Sequence, residues 1–158
     1  MSAFDIDNII NSNDRYKLFH LSCTNDNLIE SIGFLQSNGI QTINIGKELS
    51  SFIVKLEDFS YLNIDVFDFL RKTLDKYRAK IKNTGNDIVA IYNLGILLEP
   101  SLELNAVQLL KDFSKSAALI IIWENNPVTP NRLNWPTQQN NIFLDFTETP
   151  LKTLHYAI

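Results

Sequence analysis

One cysteine and two histidines in 158 residues exclude several common ways of building or using a small protein. A lone thiol, Cys23, cannot close an internal disulfide. With only His20 and His155 beside it, a Cys/His metal cage is not expected, and no metal site is assigned. Such cysteine usage fits a reducing cytoplasm. No apolar run approaches the ~20 residues that a membrane span needs. The polar, acidic stretch 1–13 has no basic start followed by an apolar core, so no signal peptide is expected. Positive charge is scarce too: 14 Lys and Arg face 18 Asp and Glu, a net charge of −4. A nucleic-acid binder neutralises phosphates with a basic face. Direct nucleic-acid contact therefore needs a local patch, for which Lys72, Lys76, Lys80 and Lys82 are the candidates.

What remains is an ordinary globular composition, 45% apolar and 20% charged, long enough for one domain over 1–158 with its own core. Tyr16 to Leu21 reads as a short buried strand. Asn25 to Ser37 reads as a helix, with Leu28, Ile29, Ile32 and Leu35 on one face and Asn38-Gly39 as its stop. Ile40 to Ile45 is a second strand. Lys47 to Leu56 returns to helical spacing. A clearer helix runs from Ile64 to Ile81, with Arg78, Lys80 and Lys82 at the end the helix dipole prefers. Ile88 to Ile91 is a strand after the turn 83–86. Val107 to Phe113 is a helix capped by Asn105. Ala117 to Trp123 is a central strand covered on both faces. The stretch 124–139, rich in proline and asparagine, reads as a loop. Ile142 to Phe146 reads as a last strand, and the final eight residues fit either state.

Strands thus alternate with helices. The expected fold is α/β, three-layered, with a mostly parallel sheet and helices on both faces, of P-loop NTPase-like type. Ligands in such folds bind beyond the carboxyl ends of the strands, so three strand ends are candidate sites. After the first strand, a working P-loop reads G-x-x-x-x-G-K-S/T: glycines let backbone N–H groups wrap phosphates, lysine neutralises them, and a hydroxyl holds magnesium. Here Thr24, Asn25, Asp26 and Asn27 stand in that place, without glycine or lysine, and a capped strand-to-helix turn is the plainer reading. After Ile91 the magnesium-ordering aspartate of a nucleotide site is replaced by Tyr92-Asn93, read as a strand end with an aromatic cover. After Trp123, Glu124 with Asn125 and Asn126 could orient a water, or could simply form a turn. Arg132 could reach across an interface as an arginine finger. Trp135 could anchor a partner. His20 and Trp123 read as packing residues, and Asp87, Glu99 and Glu103 as solvated.

The segment IVAIYNLGILLEPSLELNAVQLLKDFSKSAALIIIW resembles the small P-loop subunit, type F, of the BREX (bacteriophage exclusion) phage-defence systems. The resemblance lies in Tyr92-Asn93-Leu94, the phrase Leu97 to Asn105, the helix Val107 to Phe113 and the apolar strand ending in Trp123. INIGKELSSFIVKL resembles that family's second strand and helix. Kinship implies a P-loop fold, a cytoplasmic location and partners among other defence-system proteins, with a homo-oligomer also open. The departures at the phosphate loop and at Tyr92 imply a degenerate member. On that reading no cofactor is expected, and the chain is a non-catalytic docking subunit. ATP with magnesium would return only if a partner or second subunit completes the site, giving an NTPase. A DNA-contacting accessory module is a third alternative.

Overall fold

Seven consecutive apolar residues, Ala117–Trp123, form the strand around which the sheet of the computed structural model is built, and all seven are buried. The structure describes Ile9 and residues 14–23, 25–80, 87–124, 131–134 and 143–154. Five strands run parallel: β1 (Leu18–Ser22), β2 (Thr42–Asn44), β4 (Asp87–Tyr92), β5 (Ala117–Trp123) and β8 (Lys152–Leu154). Their order is β2-β4-β5-β1-β8, and the two-residue β3 (Ala79–Lys80) adds antiparallel to β4. The first strand therefore lies inside the sheet, between β5 and β8.

The pleat sends alternate side chains of each strand to opposite faces. Val89, Ile91, Leu119 and Ile121 face one cluster, which holds α2 (Ile45–Val54), α3 (Leu62–Tyr77) and α4 (Ala106–Phe113). Ile88, Ala90, Ile120 and Ile122 face the other, with Leu35 of α1 (Leu28–Ser37) and Ile9. Each buried leucine or isoleucine contributes about 1.5–3 kcal/mol relative to an exposed one. A parallel sheet covered on both faces needs such uninterrupted apolar strands. Among the described residues no helix is long and apolar enough to cross a membrane.

Several sequence-based expectations hold. Gly39, at φ 81°, ends α1: its N–H donates to the Gln36 carbonyl, and the Ile40 N–H donates to the Leu35 carbonyl. This is the paired bonding that a left-handed residue after a helix permits. Asn105 caps α4, its side-chain oxygen accepting from the Gln108 N–H at 3.1 Å.

Others need correction. The helix expected from Asn25 is a 3₁₀ turn over Asn25–Asn27, followed by α1. Ile29 is 82% exposed instead of buried, because α1 turns Ser31 and Leu35 to the sheet. The second strand is only Thr42–Asn44, since Asn44 accepts from the Lys47 N–H at 3.0 Å and starts α2 earlier, at Ile45.

The long helix stops at Tyr77. Arg78 turns extended and carries the chain into β3, so Arg78 and Lys80 do not continue the helix; Ile81, Lys82 and the turn 83–86 lie outside the described residues. Of Lys72, Lys76, Lys80 and Lys82, Lys72 and Lys76 share α3, Lys80 belongs to β3 and Lys82 lies outside the described residues. The cause of the turn at Arg78 sits next to it. Asp87, expected in solvent, has a side chain only 14% exposed, and its carboxylate accepts from Arg78 Nε at 2.5 Å.

Within the expected loop, β6 (Arg132–Asn134) pairs antiparallel with β7 (Phe143–Asp145) as a separate two-stranded sheet. The strand expected at Ile142 to Phe146 belongs to that hairpin. Burial of Leu133, Leu144 and Phe146 in the α2–α4 cluster holds it there. The residues after it supply β8, the parallel edge strand.

Candidate functional site

Because the five main strands are parallel, their carboxyl ends share one edge. Ser22 lies beside Trp123 and Asn44 beside Tyr92. The Cys23 N–H donates to the Trp123 carbonyl at 3.0 Å, carrying the β1–β5 ladder one residue further. The strand order reverses around β1, the place where open α/β sheets leave a crevice for ligands.

The chain leaves β1 through Cys23 into the Asn25–Asn27 turn; Thr24 lies outside the described residues. Asp26 is exposed at the mouth of this turn and Asn27 is half-buried. Asn27 occupies the cap position of α1 with φ −100° and ψ −2°, and its side chain makes no cap hydrogen bond. A capping side chain reaches the helix N–H groups from an extended backbone, which Asn27 does not have. The expected capped turn is therefore a turn without that cap. The start of α1 carries a partial positive charge, but Asp26 and Glu30 already place carboxylates beside it.

On the neighbouring strand, Tyr92 is half-buried and packs on the α1-side cluster, an aromatic cover as its position suggested. Asn93 takes the left-handed conformation at φ 58°. Its side-chain amide donates to Asn44 Oδ1 at 2.8 Å, and its carbonyl accepts from the Gly46 N–H at 3.0 Å. Asn93 thus bolts the exit of β4 to the start of α2, and its side-chain amide is spent on structure. Only glycine fits opposite: a Cβ on Gly46 would overlap the Asn93 amide and lie 3.1 Å from its carbonyl oxygen.

Glu124, at the end of β5, is half-buried, and burial pushes its carboxyl up. Desolvation, and after it the Glu124 charge, raises the buried Cys23 thiol to about 11. A thiol so placed stays protonated at neutral pH and is not a nucleophile. Arg132 stands apart in the hairpin. It pairs with Asp145 at 3.9 Å and stacks over the Phe143 ring at 4.8 Å. The Asp145 carboxyl is held low first by the Thr147 hydroxyl and backbone N–H, and then by Arg132.

Cys23, the Asn25–Asn27 turn, Tyr92-Asn93 and Glu124 therefore share the carboxyl edge, whereas Arg132 is engaged in its own hairpin. Asn125, Asn126 and Trp135 lie outside the described residues. His20, buried as expected, has its pKa lowered by desolvation, and its Nε2 has no hydrogen-bond partner among the described residues. Among the described residues no group of three His, Cys, Asp or Glu is placed to hold a metal ion. The sequence reading missed the Asn44–Gly46–Asn93 joint; the one available sign was a glycine just after an asparagine cap. No protein-family model, no curated protein and no solved structure matches the chain.

Proposed function

We propose that this chain is a non-catalytic, P-loop-like subunit of a bacterial anti-phage defence system, working in the cytoplasm by docking onto protein partners. The P-loop comparison is supported by a parallel sheet with its first strand inside it, followed by a turn and a helix. The defence setting rests on the resemblance of the segments around Tyr92–Trp123 and Ile43–Leu56 to the BREX type F subunit.

The observation that carries the non-catalytic reading is the turn after β1. In place of glycines and a lysine it puts the exposed carboxylate of Asp26. Two unit charges 4 Å apart interact by about 1 kcal/mol in water and about 4 kcal/mol at an effective dielectric of 20. Replacing a lysine by a carboxylate reverses the sign of that interaction with every nearby phosphate. At the second strand end, Tyr92 offers no carboxylate for magnesium.

Docking has surface to use, since Val54, Phe59, Tyr61 and Ile64 are large apolar side chains more than half exposed. Contiguous apolar patches mark interaction surfaces, and these four side chains, from the end of α2 to the start of α3, are candidates for one. Calorimetric titration with ATP and magnesium checks the nucleotide side: no heat of binding is expected up to millimolar ATP, and micromolar, magnesium-dependent affinity refutes the reading. Phage plating on the native host with and without the chain checks the defence side, and unchanged plating refutes it.

A further inference from the structure

Two adjoining cavities, of about 390 and 260 Å³, meet at Glu103, Leu104 and Asn105 and make one groove. It runs from the β6–β7 hairpin, across the segment between β4 and α4, to the first turns of α3. Apolar side chains line both ends, Leu97, Val107 and Phe143 at one and Ile64 and Phe67 at the other, with Asn63, Asn105 and carboxylates between them. Ile64 is 54% exposed and Tyr61, one turn earlier, 64%, so the apolar wall continues onto open surface.

Among the described residues, the charged side chains lining the two cavities are Glu99, Glu103 and Asp68, all acidic. Arg132 stacks on Phe143 at one end but is paired with Asp145. Glu103 sits where the cavities meet at φ 46°, a left-handed conformation that costs a non-glycine residue energy.

We infer that this groove receives a lysine- or arginine-bearing amphipathic segment of a partner protein, resting on the docking reading above and assigning it a surface. An apolar floor takes the hydrophobic face of such a segment, as grooves that bind amphipathic helices do. The acidic rim meets its cations and sets its orientation. The same rim repels nucleic-acid phosphates and anionic lipid headgroups, which favours a polypeptide over either.

The test uses the full chain and two fluorescently labelled peptides, an amphipathic Leu/Lys helix and its Leu/Glu counterpart. Anisotropy titration should show binding of the Leu/Lys peptide only, weakened by salt. The charge reversals Asp68→Lys with Glu103→Lys should lower its affinity about tenfold, as should Ile64→Ser, with melting temperatures near that of the parent. The control pair Asp26→Lys with Glu30→Lys, at the start of α1, should change it by less than about twofold.

Equal losses from the groove and control pairs would overturn the assignment, as would equal binding of the Leu/Glu peptide. A self-association in sedimentation that Ile64→Ser abolishes, without peptide binding, would give the groove to a second copy of the chain and also overturn it. ATP titration of the unsubstituted chain separates the two ideas. Peptide binding with micromolar ATP affinity sinks only the non-nucleotide reading, and neither ligand binding sinks only the groove.

Discussion

Gly46→Ala should destabilise the protein even though alanine is the better helix former. Gly46 is the second residue of α2. In an open helix the change would gain up to about 1 kcal/mol. Here the added methyl overlaps the Asn93 side-chain amide, approaching its Cγ to 2.9 Å, and lies 3.1 Å from the Asn93 backbone carbonyl oxygen. The side chain must swing away, which breaks its bond to Asn44 Oδ1, the same oxygen that caps α2. Loss of that bond costs about 0.5–1.5 kcal/mol. Crowding a packed site costs a further 1–3 kcal/mol, as a rough range. Against a propensity gain of about 1 kcal/mol, the net loss is about 0.5–3.5 kcal/mol. For a domain of this length each kcal/mol lowers the midpoint by about 2–4 °C, so the shift should be roughly 1–14 °C downward.

Thermal and urea melts followed by circular dichroism measure it. Asn93→Gly supplies the control, since it removes the clashing amide while glycine tolerates φ 58°. In that background the cost of Gly46→Ala should fall by about 1 kcal/mol or more, a coupling that a double-mutant cycle reads directly. A neutral or stabilising Gly46→Ala, or identical costs in both backgrounds, would refute the reasoning.

Arg78→Ala should cost about 2 kcal/mol in urea unfolding, because it strands the Asp87 carboxylate, whose Oδ1 already lacks a partner among the described residues. Arg78→Lys should recover little of this, since one guanidinium reaches both Asp87 and Ser116. Cys23 should react slowly with an aromatic disulfide at pH 8: a pKa raised from 9.0 to about 11 cuts the thiolate fraction about a hundredfold. Native reaction as fast as in urea-unfolded protein would contradict the burial assigned to it. His20, with its pKa lowered by burial, favours the neutral form when folded. As pH falls through 6.5 the unfolded chain takes up a proton that the native chain resists, so stability drops as pH falls below 6.5. His20→Gln should flatten that drop, and an unchanged slope would rule out His20 as its source.

The order of elements could be read from the chain because burial imposes period on it. A short, mostly apolar stretch at Leu18–Leu21 and unbroken apolarity at Ala117–Trp123 mark strands, and the spacing of Val66, Leu70 and Leu74 marks a helix. Asn105 and Gly39 mark helix ends because their chemistry is local: one supplies an oxygen to a nearby N–H, the other a left-handed backbone. The absence of glycine and lysine in the turn after β1, the observation behind the proposed function, was likewise visible as residue type alone.

Tertiary structure decided what depends on residues distant in sequence. Arg78 leaves its helix because Asp87, nine residues on, is held in β4, and no periodicity carries that pull. β6 and β8 are three residues each, too short for a pattern, and form because Leu133 finds the core beside β7 and β1 has an open side. Ile29 has the spacing of a core residue but faces out, since the rotation of α1 is set by the sheet beneath it. Asn93 looked like a site residue and became a structural bolt only when folding set it beside Asn44 and Gly46. The acidic groove likewise exists only once β7, α3 and the Leu97–Val107 segment are packed together. Short-range chemistry fixes where an element starts, stops and turns; which side chains meet is settled by close packing, and that is a property of the whole fold.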